Sequence, residues 1–394
     1  MGLYGLGIKP LIDNLANTID TEKCIQAWYA DDSSSGGELL EMRKWWDTLC
    51  VMGPKYGYFP LATKTILIVK EEHKEKAMKI FDKTGVSITT EGERHMGAVI
   101  GSNDFKLLYV QNKVAKWIKD VETLSEIARD EPQLAYSSFT KAVCHRWTYV
   151  QRTIPNIADL FEPLEHAIRE NFIPALIGRK VNDVERKIFE LPVKLGGLGL
   201  SNPVKTSDHE YNASTQITAN LTEIICRQEK DLTNYDREAI ADIIRRVKLE
   251  KDKIKQDALQ EVNTLVNEKM KRILKLSQEK GVGSWLTTNP VKALGFVLNK
   301  QEFRDAICLR YGWRVPHTSS HCQCGKKNDV DHALSCKKGK YIQSRHNRIR
   351  DLEAELMREV CIDVQTEPHL LPLADVNIVG GNQADNARLD VSGV

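Results

Sequence analysis

The sequence predicts an α+β fold that is predominantly helical. Segments that indicate strands lie mainly in roughly the first 105 residues, where they alternate with helical patterns, and the last stretch, 366–394, also has the pattern of strands and loops. Beyond them, apolar side chains recur at three- and four-residue steps over most of the chain, which is the spacing of helices that bury one face. A compact group of cysteines with one histidine, between residues 322 and 336, predicts a small module held by a metal ion.

Length and composition exclude several classes of protein. The 394 residues are enough for two or three domains, each with its own core. No apolar run is long enough to cross a bilayer, so no membrane role is predicted, and the start lacks the basic region of a signal peptide. Nine cysteines are an odd number, which favours reduced thiols and one metal site in an intracellular protein of the nucleus or cytoplasm. Six of them are expected to be buried free thiols: Cys24, Cys50, Cys144, Cys226, Cys308 and Cys361.

The first 105 residues are expected to form a sheet packed by helices. Ile25 to Tyr29 alternates and runs into Asp31-Asp32, which predicts a strand that ends in a tight turn. The pattern then indicates a loose Ser/Gly segment at 33–37, a helix at 38–50, a strand at 65–69, a helix at 71–83 and a strand at 98–100. The apolar, Gly-rich residues 1–15 are expected to belong to the interior of a fold that begins further upstream.

Helices are predicted for most of the chain after residue 105. The expected segments are 105–130, 132–151, a long helix or helical hairpin at 236–280, 300–309, and about 345–360. The apolar positions of 236–280 suit either a dimeric coiled coil or packing against the rest of the same chain, and the second is the simpler expectation. The glycines of 195–200 invite a phosphate-binding interpretation, but their spacing matches no phosphate-binding motif, so a turn is predicted.

Asp31 and Asp32 are the candidate catalytic residues of the first region. Nucleotidyl transfer at a two-metal site needs carboxylates that hold two divalent cations about 3.5–4 Å apart. Adjacent aspartates in a hairpin turn, preceded by an aromatic and a small residue, can present carboxylates to such a site while the flanking strands stay buried. A surface turn is the alternative, because aspartate is a common turn residue.

Three segments, taken in order, resemble the palm of reverse transcriptases from non-LTR-type retroelements. Trp28-Tyr29-Ala30-Asp31-Asp32 resembles the catalytic hairpin, and Gly57-Tyr58-Phe59-Pro60 through Lys64-Thr65 resembles the palm motif that follows it. Arg94-His95-Met96-Gly97-Ala98-Val99-Ile100-Gly101 is similar to the hairpin that grips the primer end. Their common order favours the polymerase over the isolated surface turn.

The resemblance implies an RNA-directed DNA polymerase that acts on an RNA template and a DNA primer or target. Asp31 and Asp32 would hold Mg²⁺ or Mn²⁺, and Lys64 would lie near the incoming triphosphate. Taken alone, Lys64 also suits a solvated lysine at the end of a strand. For His95 and Met96 the resemblance implies only a backbone role in gripping the primer, and a packed strand is the alternative.

The resemblance also implies that part of the catalytic site is missing. A complete palm carries another metal-binding aspartate on an earlier strand, and a Gly-rich template-contacting segment just before the region that Met1 to Leu11 resembles. Asp13 and Asp20 are the only aspartates before the motif, and both follow the position of that strand. The chain is therefore expected to be a truncated open reading frame that is inactive by itself.

Four residues are the candidate ligands of a structural zinc ion: Cys322, Cys324, His332 and Cys336. Three thiolates and an imidazole within fifteen residues provide the tetrahedral set that zinc prefers. Gly325 permits the tight turn between the two arms, and His317 and His321 are less suited as ligands. With no open coordination position, the ion would stabilise a small fold rather than catalyse. Scattered buried thiols are the alternative.

This module, followed by Arg345-His346-Asn347, resembles the zinc knuckle between the polymerase and the restriction-like endonuclease of certain non-LTR retrotransposons. The resemblance implies that Ala387-Arg388-Leu389-Asp390-Val391 is the first strand of a PD-(D/E)XK-type nuclease, with Asp390 as its first metal ligand. An ordinary exposed carboxylate is the alternative for Asp390. The implied organisation is a partial palm at 1–105, a helical thumb-like region at 106–200, a helical connection at 201–314, a zinc knuckle at 315–347 and a truncated endonuclease-like start at 348–394.

Basic residues crowd into one stretch near the zinc module: Lys326, Lys327, Lys337, Lys338, Lys340, Arg345, Arg348 and Arg350. The stretch suits either a nucleic-acid contact or a solvated face, and the net charge of +2 adds only weak support for a polyanionic partner.

Two alternatives to the polymerase fragment stay open. One is a non-catalytic, zinc-dependent nucleic-acid-binding protein derived from a retroelement, and the other is an unrelated structural protein.

Overall fold

The chain divides into two compact units. The computed structural model describes residues 2–229, 236–316, 318–368 and 391–393. Unit 1 comprises Met1–Arg304 and unit 2 comprises Asp305–Val394. Helices account for most of the described residues and the strands are short, which confirms the predicted α+β, predominantly helical fold class.

The first 101 residues of unit 1 contain all of its described strands. In chain order the elements are α1 (Gly2–Thr18), β1 (Cys24–Tyr29), β2 (Asp32–Gly37), α2 (Leu39–Met52), β3 (Ile66–Ile68), α3 (Lys74–Ile80), β4 (Ser87–Thr89), β5 (Gly92–His95) and β6 (Ala98–Gly101). Strands β1 and β2 pair antiparallel, β3 and β4 pair parallel, and β5 and β6 pair antiparallel. The expected single sheet is therefore replaced by three two-stranded sheets within the described residues. Each pair packs against a different helix, namely α2 against β2, α3 against β4 and α4 against β6.

Strand β2 differs from the loose segment that its composition predicts. Serine and glycine have low strand propensity, and five of the six residues of β2 are serine or glycine. Its register with β1 nevertheless runs without interruption from Cys24↔Gly37 to Tyr29↔Asp32. Cross-strand pairing and the packing of α2 on β2 therefore override the local preference.

A continuous apolar core lies beneath this region. Helix α1 contributes Ile8, Leu11 and Leu15, which recur at three- and four-residue steps on its buried face. The other buried members of the cluster are Ile19, Cys24, Trp45, Trp46, Leu49, Leu67, Ala77 and Phe81. The core thus joins α1, β1, α2, β3 and α3 into one body.

The rest of unit 1 is helical in the residues that the structure describes. Its α-helices are α4 (Asn103–Asp130), α5 (Pro132–Lys141), α6 (Thr148–Thr153), α7 (Glu162–Ala167), α8 (Ile173–Ile177), α9 (Asp183–Glu190), α10 (Pro203–Cys226), α11 (Arg237–Leu265), α12 (Glu268–Leu276), α13 (Ser284–Thr287) and the start of α14 (Lys300–Arg310). Ser102 caps α4 by accepting a hydrogen bond from the Phe105 amide. Helix α4 packs against α5, α7 and α8 around an aromatic core. In this core the ring centroid of Phe139 lies 6.2 Å from that of Trp147 and 4.7 Å from that of Phe172.

Two predicted helical segments are divided. The segment 132–151 breaks after Lys141 into α5, a short 3₁₀ turn and α6, and the break lets Phe139 and Trp147 enter the same core. The segment 236–280 divides into α11 and α12, because Asn267 caps a new helix by accepting from the Met270 amide. Helix α11 packs against α9 and α10, which confirms the expected packing within the chain.

The glycine-rich segment after α9 is a turn, as predicted. Gly196 and Gly199 have φ angles of 92° and 67°, in the left-handed region that favours glycine. A Cβ atom on Gly197 would lie 1.9 Å from the carbonyl oxygen of Leu191. These glycines serve close backbone packing, so the turn has no room for a phosphate cradle at Gly197.

A buried ion pair ties this turn to the helical core. Arg186 of α9 donates two hydrogen bonds of 2.7 Å to the carboxylate of Glu165 of α7, and a third to the carbonyl oxygen of Leu200. The Arg186 side chain is only 4% exposed. A matched pair at the surface joins Arg179 to Glu185 through two hydrogen bonds, with the arginine 42% exposed.

Unit 2 contains the end of α14, followed by α15 (Val330–Ser335), α16 (Tyr341–Arg358), β7 (Gln365–Thr366) and β8 (Val391–Ser392). Strands β7 and β8 pair antiparallel, and α16 packs against both of them and against α15. Helix α16 turns Ala354 inward. None of the described helices combines the length and apolar character needed to cross a membrane.

Replacing Arg186 with methionine is expected to destabilise unit 1 by about 3–5 kcal/mol, because the Glu165 carboxylate would stay buried without its counter-charge. Replacing Arg179 with methionine should cost less than about 1 kcal/mol, because solvent screens the exposed pair. Urea unfolding followed by tryptophan fluorescence measures both. Equal losses for the two variants would contradict the assigned role of burial.

Candidate functional site

The turn between β1 and β2 presents two carboxylates to solvent. Tyr29 pairs with Asp32, so Ala30 and Asp31 form a two-residue loop. Ala30 has a φ of 55°, which permits the tight reversal. Asp31 and Asp32 are both exposed, as the sequence predicts for a strand that ends at this turn.

Tyr58 from the second motif holds this turn in place. Its hydroxyl donates to the carbonyl oxygen of Asp31 at 3.1 Å and lies 2.7 Å from the hydroxyl of Ser33. Its ring packs edge-on against Trp28, with the centroids 5.2 Å apart. Burial raises the pKa of Tyr58, and the Asp31 and Asp32 carboxylates raise it further, so the phenol keeps its donor proton at neutral pH.

The third motif meets the same hairpin from the other side. Strands β5 and β6 form a hairpin whose turn is Met96 and Gly97. The Nε2 atom of His95 lies 3.3 Å from the hydroxyl of Ser34 in β2. Two tyrosines of the helical region anchor the turn: Tyr149 donates to the carbonyl oxygen of Met96 at 2.7 Å, and Tyr109 donates to that of Gly97 at 3.0 Å.

A buried glutamine fixes β1 against its surroundings. The Gln26 side-chain oxygen accepts from the indole N–H groups of Trp28 and Trp45 at 3.0 and 3.1 Å, and its Nε2 donates to the carbonyl oxygen of Ile12 in α1. The Gln26 backbone N–H donates to Oε1 of Gln228, and its carbonyl oxygen accepts from Nε2 of Gln228. The Gln228 amide thus occupies the hydrogen-bonding position of a neighbouring strand on the outer edge of β1.

Sequence reasoning did not single out Gln26, Gln228, Tyr109 or Tyr149. Gln26 carried a usable signal, because a polar residue stands at an inward-facing position between Cys24 and Trp28. Its partner Gln228 lies 202 residues further along the chain. No local pattern connects such distant residues, so the pairing required the structure.

The remaining sequence-predicted carboxylates and the lysine do not join the turn. Asp13 forms an ion pair with Lys9 within α1, and Asp20 accepts from the backbone amide of Glu22. Lys64 is exposed in a short 3₁₀ helix. Throughout the described residues, no third carboxylate, histidine or cysteine joins Asp31 and Asp32 in a metal-binding group. Asp390 lies outside the described residues.

The four predicted zinc ligands meet in unit 2. One ligand atom from each of Cys322, Cys324, His332 and Cys336 lies within 4.8 Å of the other three. The Sγ atoms of Cys322 and Cys336 are 3.6 Å apart, close to the edge of about 3.8 Å that follows from 2.3 Å Zn–S bonds in a tetrahedron. Cys324 Sγ lies 3.1 Å from Nε2 of His332. The donor set and its size fit zinc.

Local backbone structure brings these ligands together. In the first arm the Gly325 amide donates to the carbonyl oxygen of Cys322, and the φ of Gly325 is 86°. In the second arm Asp329 caps α15 by accepting from the His332 amide, and the Cys336 amide donates to the carbonyl oxygen of His332. One helical turn therefore separates the last two ligands, as their spacing predicts. His321 is outside the group, whereas His317 is outside the described residues.

The six other cysteines are only partly as expected. Cys24 is buried, whereas Cys50 and Cys226 are exposed, so the prediction of buried thiols is wrong for these two. Cys50 follows buried Leu49 on α2 and falls on the outward side of that helix. Cys144, Cys308 and Cys361 are half-buried. Burial raises the pKa of Cys24 and of Cys144 to about 11, which keeps both thiols protonated.

No family model, no curated protein and no solved structure matches this chain. Its functional interpretation therefore depends on the chemistry of its own residues. The structure brings residues of the three sequence motifs to one hairpin and the four predicted zinc ligands to one point.

Replacing Gln26 with leucine is expected to destabilise the β1–β2 hairpin by about 2–4 kcal/mol, because the Trp45 indole and the Ile12 carbonyl would lose their buried partners. Hydrogen exchange of the amides in 24–37 should become faster. The control is Gln133→Leu, which removes another buried amide, one bonded to the backbone of Phe296 and Leu298. Unchanged exchange in the Gln26 variant would refute the anchoring role.

The full chain is expected to bind one zinc ion, and removing the ion with a chelator should destabilise unit 2 by several kcal/mol. Cys324→Ser should lower both the zinc content and the melting temperature of unit 2. Cys361→Ser, a thiol in the same unit outside the ligand group, should change neither. Elemental analysis and calorimetry measure the two quantities, and a chain purified without zinc at full stability would overturn the assignment.

Proposed function

We propose that the chain is part of a retroelement-type reverse transcriptase, an RNA-directed DNA polymerase, with a zinc-stabilised module that binds nucleic acid. The main support is the meeting of three motifs around one turn. Tyr58 of the second motif contacts the backbone of Asp31, and His95 of the third contacts Ser34, a residue 61 positions away. An isolated surface turn has no need of such contacts.

The two carboxylates suit divalent cations that prefer oxygen ligands, such as Mg²⁺ and Mn²⁺. In a complete site, two such ions activate the attacking hydroxyl and stabilise the leaving oxygen. Asp31 and Asp32 are exposed, and Tyr58 bonds to the backbone of their turn rather than to a carboxylate. A metal ion can therefore bind the two carboxylates without breaking a buried hydrogen bond. Lys64 is the proposed contact for triphosphate oxygens.

We do not expect catalysis from this chain alone. Asp31 and Asp32 have no third ligand within the described residues, so they should hold at most one ion, and weakly. The loss of one ion removes several kcal/mol of transition-state stabilisation, and each 1.36 kcal/mol is tenfold in rate. Asp390 is proposed as the first metal ligand of a nuclease-like strand.

A second candidate is a non-catalytic, zinc-dependent nucleic-acid-binding protein derived from a retroelement. It is favoured by the exposed lysines that follow Cys336 directly in the chain, namely Lys337, Lys338 and Lys340. Lysines on a metal-stabilised frame suit the phosphates of a polynucleotide. In this candidate Asp31 and Asp32 would bind no catalytic metal.

Primer extension on an RNA template with Mg²⁺ or Mn²⁺ is expected to give no product with the full chain, and the Asp31→Ala, Asp32→Ala double variant should behave identically.

Iron-mediated cleavage tests the metal ligands independently of synthesis. With Fe²⁺, ascorbate and peroxide, the parent chain should be cut near residues 29–34, and the double variant should not.

The two measurements separate the alternatives. Template-dependent synthesis that disappears in the double variant would show that the site is complete, and would contradict the expectation that Asp31 and Asp32 lack a third metal ligand. Absence of cleavage near the turn at millimolar Fe²⁺ would reject the metal-binding role of Asp31 and Asp32, and with it the polymerase proposal, in favour of the non-catalytic binding protein.

A further inference from the structure

We propose that the segment from Lys337 to Arg348 binds a single-stranded polynucleotide, with Tyr341 as a stacking surface for a base between flanking cations. This inference rests on the nucleic-acid binding proposed above, and adds the class of nucleic acid and the residues that recognise it.

The charge of this segment is of one sign. Its exposed cationic residues are Lys337, Lys338, Lys340, Arg345 and Arg348. The first acidic residue after Cys336 is Asp351. Among the described residues, no ion pair involves any of these five cations, whereas Arg350 pairs with Asp351 and Glu367. Five cations that form no ion pair among the described residues attract a polyanion and release its counterions on binding.

Helix α16 aligns three of the recognition residues. Tyr341, Arg345 and Arg348 stand at positions i, i+4 and i+7, so they share one face over about 10 Å of helix. The Tyr341 side chain is 59% exposed. The opposite face turns Ala354 inward, so the basic face is the one presented to solvent.

The same face favours a single strand over a duplex. Beyond Arg348 it continues with Ile349, Leu352 and Leu356, all of them more than half exposed. Apolar and aromatic side chains can contact the flat faces of bases, and a duplex hides these faces by stacking. A duplex would leave Tyr341 and the apolar residues without a partner, because phosphates and groove edges provide little flat apolar surface for them to contact.

The zinc site fixes where this segment begins. Cys336 is a ligand and immediately precedes the 3₁₀ turn Lys337–Gly339, and α15 packs against α16. Lys340, which has a φ of 59°, is the N-cap residue that precedes Tyr341, the first residue of α16. A bound ion thereby holds the lysines and the first turn of α16 in one arrangement. Zinc and the single strand should each strengthen the binding of the other, because such coupling is reciprocal.

The test uses the zinc-loaded full chain and fluorescence anisotropy with three probes of 20 nucleotides or base pairs: oligo(dT), oligo(U) and a hairpin duplex. At least one single strand is expected to bind tenfold or more tightly than the duplex. Stronger binding of oligo(dT) would assign DNA, and stronger binding of oligo(U) would assign RNA. Chelation of zinc should weaken binding of the preferred strand.

Variants separate stacking from charge. Tyr341→Ala should weaken single-strand binding about tenfold or more, and Tyr341→Phe should restore it, because stacking needs only the ring. Arg345→Gln with Arg348→Gln should reduce the slope of log affinity against log salt by about 1.4, at about 0.7 for each phosphate contact. Arg358→Gln, at the other end of α16, is the matched control. Zinc content should stay at one ion per chain in every variant.

Equal affinity for duplex and single strands, or unchanged binding by Tyr341→Ala, would overturn this inference while nucleic-acid binding itself stood. Absence of binding to all three probes by the zinc-loaded chain would overturn both this inference and the proposed binding function of the module. Cleavage by iron at the β1–β2 turn does not depend on either result, so the metal-binding proposal for Asp31 and Asp32 is judged separately.

Discussion

The hydrogen bonds of Gln26 are the interaction on which the arrangement of the candidate site at the β1–β2 turn depends. Its side chain joins two tryptophan indoles to the backbone of α1, and its own backbone is held by Gln228, just after the end of α10. A buried amide is tolerated only when its groups are satisfied, and here every partner comes from a different segment. The hairpin with Asp31 and Asp32 is therefore positioned by helices that lie far apart in sequence.

The sequence predicts most reliably what depends on neighbouring residues. The zinc ligands lie within fifteen positions, so their spacing alone predicts the group that the structure brings together. The turn at Asp31 is predicted equally well, because alternation before it and aspartates within it are local signals. The break between α5 and α6 is not predictable in this way, because Ala142 is neither proline nor glycine. The break depends instead on packing in the aromatic core, where Phe139 contacts Trp147.

Strand β2 illustrates the opposite limit. Its Ser/Gly composition predicts a loose segment, and only pairing with β1 makes it a strand. Its small residues also have a use, because the hydroxyl groups of Ser33 and Ser34 contact Tyr58 and His95 of the other two motifs. A sequence of better strand formers would fill this space with bulk and leave Tyr58 and His95 without their hydroxyl partners.

The β5–β6 turn is anchored entirely through main-chain oxygens. Tyr149 and Tyr109 bond to the carbonyl groups of Met96 and Gly97, which every residue type possesses. Gly97 itself is constrained, because its φ is 83° and the Tyr149 ring would lie 3.3 Å from an added Cβ. Met96 also has a positive φ, of 49°, which β-branched residues rarely adopt, but its anchor does not use its side chain. Natural selection can therefore exchange the side chain at the tip of this hairpin among residue types that adopt this conformation, and so alter what it touches, without moving the tip.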